Sequence, residues 1–152
     1  YKYVLHHRDN TIDKWFLETL GVWVSTLNKC EYCIEHHFAG LKRLLNDDEK
    51  ATQIRSAIYT NKIEEAPLEN CQKTAMEYAR KLTHNPGSIS EESIEKLRAD
   101  GYTDGEILEI NQVCAYFSYA NRTVLGLGCS TKGDILGLSP NNNDDPNDWG
   151  HS

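Results

Sequence analysis

The stretch that decides the reading of this chain runs from Trp15 to His37: Trp15-Phe16-Leu17-Glu18-Thr19-Leu20-Gly21-Val22-Trp23-Val24-Ser25-Thr26-Leu27-Asn28-Lys29-Cys30-Glu31-Tyr32-Cys33-Ile34-Glu35-His36-His37. Apolar residues at Ile12, Trp15, Phe16, Leu20, Trp23, Val24 and Leu27 recur at the three-then-four spacing of a helical stripe, with Thr11 or Asp13 as the N-cap. After Asn28-Lys29 a second stripe passes through Cys30, Cys33, Ile34, His37, Leu41, Leu44 and Leu45, and stops at the turn-prone Asn46-Asp47-Asp48. A second helix therefore begins at or near Cys30, which puts a Cys-x-x-Cys pair in its first turn.

With roughly 100° of rotation per residue and Cys30 at zero, Cys33 falls at about 300°, His37 at about 340° and His36 at about 240°. His37 thus shares the face of both cysteines, whereas His36 points off the stripe toward the surface or an interface. Thiols in a first helical turn see oriented N–H groups and the positive end of the dipole, and an imidazole one turn away can take or return a proton. The expectation is a thiol that is partly ionised near neutrality. Such a thiolate attacks a disulfide sulfur or a peroxide oxygen, and a second Cys three residues away condenses with the resulting sulfenic acid.

Glu18 lies roughly opposite the large-residue stripe of the first helix, beside Gly21, Val22 and Ser25. Small neighbours let another backbone approach. A carboxylate held in such a groove is expected to have a raised pKa and to act as a proton acceptor, although a lone Glu on a helix is ordinarily solvent-exposed.

Working outward, a third helix is expected over Glu49 to Thr60, with Ala51, Ile54, Ala57 and Ile58 inward. A fourth is expected to start with Pro67 in its first turn and to carry Leu68, Cys71, Ala75, Ala79 and Leu82. His84-Asn85-Pro86-Gly87 breaks it. Ser90 with Glu91 and Glu92 starts a short helix that stops at Gly101, and Thr103-Asp104-Gly105-Glu106 is a capping box opening the longest helix. That helix carries Ile107, Ile110, Val113, Cys114 and Phe117 and extends to about Val124. No segment shows the strict alternation of a half-buried strand, so the fold class is all-α. This excludes a thioredoxin-like βαβ setting for the cysteine pair. The domain is placed at residues 1–125. Residues 126–152, rich in Gly, Pro, Asn and Asp, read as an irregular tail packing on the domain or on a neighbouring subunit, with Trp149 as a docking residue.

The 152 residues suffice for one core, and 16 basic against 23 acidic side chains give a net charge of −7. With a pI near 5.3 and no Lys/Arg cluster, neither nucleic acid nor an anionic membrane is an expected partner. The apolar runs are only a few residues long, far short of the roughly 20 that span a bilayer. The chain opens on Tyr1 without a basic-then-apolar leader, which reads as a trimmed or internal start. Cys30, Cys33, Cys71, Cys114 and Cys129 make an odd number in a chain that does not need staples, which favours a reducing cytoplasm over a secreted disulfide scaffold. Cys71 and Cys114 read as core residues, and Cys129 as an exposed one.

The spacing of Glu18, Cys30-Glu31-Tyr32-Cys33-Ile34-Glu35-His36-His37, Ser25 and Asn28 resembles the core motif of the alkylhydroperoxidase D (AhpD)-like, carboxymuconolactone decarboxylase superfamily. Ala115-Tyr116-Phe117-Ser118-Tyr119-Ala120-Asn121-Arg122, Leu138-Ser139-Pro140 and Trp149-Gly150-His151 extend the resemblance to its uncharacterised peroxidase-related branch. The resemblance implies an AhpD-like helical domain with a redox Cys-x-x-Cys at the N-terminus of a core helix. It also implies catalytic roles by position: Glu18 as relay base, Cys33 as peroxidatic thiol, Cys30 as resolving thiol and His37 as proton shuttle. Tyr32, His36, Tyr119 and Asn121 become pocket-lining candidates. Two departures stand out: Tyr32 occupies a position between the cysteines that carries His in alkylhydroperoxidases, and Leu17 stands where a basic residue often precedes the Glu.

The resulting expectation is a thiol-dependent alkyl hydroperoxidase-like oxidoreductase, with a small hydroperoxide as substrate, a dithiol electron donor, no cofactor and no metal. A homo-oligomer (dimer, trimer or hexamer) is implied as well. A dithiol-disulfide oxidoreductase acting on protein or lipoyl disulfides is the alternative within the same chemistry. A non-enzymatic oligomer with a metal or regulatory cysteine clasp is the alternative outside it. Zinc would want four ligands, of which Cys30, Cys33 and one of His36 and His37 supply three.

Overall fold

A computed structural model describes residues 1–137 of the chain, in which helices alone make up the regular structure. They are α1 (Lys2–Leu5), α2 (Lys14–Leu27), α3 (Glu31–Leu45), α4 (Asp48–Tyr59), α5 (Asn70–His84), α6 (Glu91–Ala99) and α7 (Asp104–Gly126), with 3-10 turns at Ile63–Glu65 and Pro86–Ser88. The all-α reading holds for these residues.

The helix ends follow their sequence signals with one exception. Asp47 caps α4 by accepting from the Lys50 N–H at 2.9 Å, and the Thr103–Glu106 box caps α7 in both directions, at 3.2 and 2.8 Å. The expected start at Pro67 is displaced to Asn70. Leu68 N–H closes a tight turn onto the Ala66 carbonyl at 2.8 Å, and Glu69 N–H donates to Gln72 Oε1 at 3.0 Å, so the Glu69–Gln72 pair takes the N-terminal capping position. Pro67 belongs to the approach rather than to the helix.

α2 is the central element and packs most extensively against α3, then α7 and α5. Every residue from Phe16 to Ser25 is buried. A helix surrounded on all sides needs to be apolar all round, and this ten-residue run carries one charged residue, Glu18. The stripe of large residues therefore marks only part of the buried surface of α2. Gly21 makes room for α7: a Cβ there would stand 2.3 Å from the Phe117 ring. Trp23 donates its indole N–H to the Met76 carbonyl of α5 at 2.9 Å.

Two residues, Asn28 and Lys29, reverse the chain between α2 and α3. Lys29 adopts φ 57°, its N–H donates to the Thr26 carbonyl at 3.0 Å, and Cys30 N–H donates to the Ser25 carbonyl at 2.9 Å. This turn lays α3 back along α2, so that Gly40 faces Glu18 at van der Waals range. At the other end of α2, the Glu109 carboxylate of α7 accepts from Thr11 N–H, Thr11 Oγ1–H and Ile12 N–H at 2.9, 3.1 and 3.1 Å. It thereby clamps the N-terminal segment and α1 onto the bundle. After α7, residues 127–137 return to α3, where Gly137 at φ 100° meets Ala39. Leu138-Ser139-Pro140, Trp149-Gly150-His151 and the expected docking of Trp149 lie outside the described residues.

Candidate active site

Cys30 is the N-cap residue of α3 and Cys33 sits in its first turn, as the helical stripe requires. Their sulfurs are 3.1 Å apart, well beyond a disulfide bond of about 2.05 Å, so the pair is a dithiol in contact. Cys30 is fully buried and Cys33 is 4% exposed. Burial first, and then the hydrogen bond with Cys30, push the Cys33 thiol up to about 12, with a hydrogen bond from Asn121 pulling the other way. The expected partial ionisation near neutrality is therefore not found. Removed from water, the Cys33 thiol loses more hydration than the helix N-terminus returns.

Glu18 is wholly buried between α2, α3 and the N-terminal segment. Its Oε2 accepts from His37 Nδ1–H at 2.7 Å. Its Oε1 accepts from the Tyr1 hydroxyl at 2.9 Å and lies 2.8 Å from His6 Nε2. Burial alone raises a carboxyl. Here the charge and hydrogen bond of His37, followed by those of His6, outweigh it and hold Glu18 well below the usual carboxylate range, at about 2. The raised pKa expected from a groove of small residues is thus reversed. The groove exists, and what fills it is a pair of imidazoles. Burial and the neighbouring Glu18 keep the Tyr1 phenol protonated as a donor.

His37 is held on three sides. Nδ1 is committed to Glu18, the Phe117 ring stands edge-on at 4.5 Å, and the Tyr1 ring lies 5.4 Å away. In its neutral form, an imidazole so held carries its proton on Nδ1 and offers Nε2 as an acceptor. Cys33 sits one turn earlier on the same helix.

Asn121 is fully buried on α7 and bridges two elements: its Nδ2 donates to Ser25 Oγ at 3.0 Å and its Oδ1 accepts from Asn28 Nδ2 at 3.0 Å. Ser25, Asn28 and Asn121 thus tie the end of α2 to α7 beside Cys33. Arg122, next to it, is exposed and donates to the Ser118 carbonyl of its own helix. Tyr119, expected to line the pocket, is 69% exposed instead. It stands two residues from Asn121, about 200° round the helix. Tyr116 takes the inward place. Its phenol is raised by burial first, then by Cys33 and Glu18, and its ring lies 6.3 Å from Tyr1.

Tyr32 and His36 form a separate cluster. Their rings stack at 4.5 Å, and Asp134 of the returning segment sits 3.2 Å from His36 Nε2 and hydrogen-bonds Tyr32. Cys129 is exposed, Cys114 is buried with its thiol raised to about 12 by burial, and Cys71, expected in the core, is only half-buried at the mouth of α5. No group of three or more His, Cys, Asp or Glu among the described residues is arranged to hold a metal ion. No helix among them is long and apolar enough to cross a membrane.

His6 and Tyr1 had no signal in the sequence. They lie on or beside a four-residue helix, too short for a periodic stripe, and only the structure brings them to Glu18.

The helical fold that buries this dithiol beside a Glu–His pair has counterparts among solved structures. No protein-family model matches the chain, and no curated protein matches it. The crystal structure of an uncharacterized peroxidase-related protein from Silicibacter sp. TM1040 matches with a TM-score of 0.73 and 28% identity, over 85% of this chain and 64% of that one. An alkylhydroperoxidase AhpD core, an uncharacterized peroxidase-related protein from Ralstonia eutropha JMP134, shares the fold with a TM-score of 0.73 at 24% identity, over 82% of this chain and 63% of that one. The chain thus spans a little under two thirds of the length of these structures. Its fold is AhpD-like, and its structural neighbours are peroxidase-related.

Proposed function

We propose that this protein is a thiol-dependent peroxidase of the alkyl hydroperoxidase kind, in which Cys33 attacks a small hydroperoxide and Cys30 resolves the product. The observation that carries this reading is the 3.1 Å sulfur contact in a pair that is almost wholly buried. Sulfurs this close need little movement to bond, and the burial admits a small peroxide more readily than a protein disulfide. The peroxidase-related neighbours support the same class.

The resting thiol is neutral, so the nucleophile is made at the moment of reaction. The Cys33 proton passes to His37 Nε2, through one water, while Glu18 holds the imidazole by Nδ1–H and stabilises the imidazolium that forms. The Cys33 thiolate attacks the terminal peroxide oxygen. The O–O bond breaks, and the departing alkoxide takes the proton from His37 and leaves as the alcohol. Cys33 is now the sulfenic acid. Cys30 attacks its sulfur and water leaves, giving the Cys30–Cys33 disulfide. An external dithiol returns two electrons and two protons by thiol–disulfide exchange. In this scheme Glu18 orients and neutralises, and His37 is the base.

A reducing cytoplasm suits the free thiols, and assembly as a homo-oligomer is part of the proposal. The apolar side chains of Leu108, Tyr119 and Leu125, exposed along α7, support that assembly.

The test is steady-state consumption of cumene hydroperoxide with dithiothreitol as donor, run beside reduction of lipoamide disulfide. The proposal expects the hydroperoxide to be turned over faster than the disulfide. Faster turnover of the disulfide would reassign the protein to dithiol–disulfide exchange.

A further inference from the structure

The imidazole of His6 has no place in the mechanism above, yet its side chain is wholly buried against the same carboxylate. Its Nε2 lies 2.8 Å from Glu18 Oε1 and 2.8 Å from the Tyr1 hydroxyl. A carboxylate can only accept, and the Tyr1 hydroxyl already donates to that same oxygen. A lone pair on Nε2 would therefore face an anion at hydrogen-bond distance, so the network assigns the proton of His6 to Nε2. Oε1 is then taken by two donors, and Oε2 is left to His37 alone.

We propose that His6 is a positioning residue that fixes the tautomer of His37 by keeping Glu18 ionised. This rests on the peroxidase reading for its catalytic consequence, and on geometry alone for the tautomers. The groups facing Glu18 are Tyr1 and His6 from the N-terminal segment, His37 from α3 and the Tyr116 phenol from α7. Of these, His37 and then His6 oppose the burial that favours a neutral carboxyl, beside the O–H that Tyr1 donates to Oε1. Without His6 the carboxyl moves toward protonation. A protonated Glu18 would donate its own O–H to His37 Nδ1. The imidazole proton would then reside on Nε2, and His37 could no longer accept from Cys33.

The surrounding structure makes the substitution informative. The segment that carries His6 is held by the Glu109 clamp on Thr11 and Ile12, by Asn10 Nδ2 donating to the Val4 carbonyl at 2.9 Å, and by the buried Leu5. None of these contacts involves the imidazole.

The experiment is nitrogen-15 NMR of the histidine side chains in the reduced full chain at neutral pH, followed by the pH profile of hydroperoxide-driven thiol oxidation in His6→Phe, His6→Asn and His6→Gln. The wild type should show His6 protonated on Nε2 and His37 on Nδ1. His6→Phe and the shorter His6→Asn should lower the oxidation rate roughly 10- to 100-fold, short of the ~10⁴ of a full tautomer reversal, and move the acid limb of the profile upward. His6→Gln, which keeps an N–H donor near the Nε2 position, should recover most of the rate and the wild-type profile. A His37 protonated on Nε2 in the wild type overturns the inference. So does a folded loss variant whose pH profile is unchanged, or a folded His6→Gln that behaves like His6→Phe. If the wild type oxidises no thiol with hydroperoxide, the peroxidase reading fails, and the tautomer spectra still decide the role of His6.

Discussion

Glu18 Oε2 and His37 Nδ1 meet at 2.7 Å across the α2–α3 interface, and the carboxylate in that pair is fully buried and held at about 2. Burial and ionisation coexist because three donors, from His37, His6 and Tyr1, converge on two oxygens. The pair has the form of an orienting carboxylate behind a base.

Glu18→Gln keeps the shape and reverses the hydrogen-bond logic. An amide offers one acceptor oxygen and two N–H donors to a site lined by three donors, so at least one imidazole must change tautomer. The rate of thiol oxidation by hydroperoxide should fall by about 10²- to 10⁴-fold, as for a wrong tautomer behind a catalytic base. Stranding the buried donors that converge on Glu18 should also cost on the order of 3–5 kcal/mol in urea denaturation. A rate within a few-fold of wild type would remove Glu18 from the mechanism.

Acid should erode stability through this residue in a defined window. The folded carboxyl is depressed from 4.5 to about 2, so its contribution is fully present above pH 4.5 and is lost as pH falls through about 2. Urea midpoints of wild type and Glu18→Gln should therefore converge across that interval. Parallel curves would mean that Glu18 has the same affinity for protons folded and unfolded.

Gly21→Ala places a methyl group 2.3 Å from the Phe117 ring, the same ring that stands edge-on to His37 at 4.5 Å. Moving Phe117 should cost about 1–3 kcal/mol and slow thiol oxidation together. Gly40→Ala meets Glu18 only at 3.4 Å and should do much less of both. Differential scanning calorimetry with the oxidation assay separates the two variants.

Asn121→Leu removes the hydrogen bond that lowers Cys33 and the bridge between Ser25 and Asn28. Burial then acts unopposed by Asn121. Alkylation of Cys33 by iodoacetamide, read as a function of pH, should need still more alkaline conditions than in the wild type, with a stability loss of roughly 1–3 kcal/mol for the stranded polar groups. An unshifted alkylation profile would confine Asn121 to a structural role.

Much of this was legible in the sequence, for reasons that can be named. Cys30, Cys33 and His37 fall on one face by helical arithmetic, and the Thr103–Glu106 box fixes the start of α7, so local spacing alone places these residues. Glu18 stood out by the small residues around it, but periodicity could not show that α2 is buried on every side. The sign of its pKa shift depended on His37 and on His6, which is twelve residues away in the sequence and 2.8 Å away in the folded chain. The same limit explains Cys33: the helix N-terminus is a local feature, whereas the burial that overrides it is tertiary. On α7 Tyr116 and Tyr119 are three residues and about 60° of rotation apart, and the packing of Phe117 on Gly21 decides which of them turns inward.

The most direct test of the central claim is the intact mass of the reduced protein before and after brief exposure to one equivalent of cumene hydroperoxide, in the wild type and in Cys33→Ser. The account expects the wild type to lose two hydrogens, with a Cys30–Cys33 linked peptide on digestion, and Cys33→Ser to show no such loss. A wild type whose mass is unchanged, or whose two-hydrogen loss survives in Cys33→Ser, would contradict it.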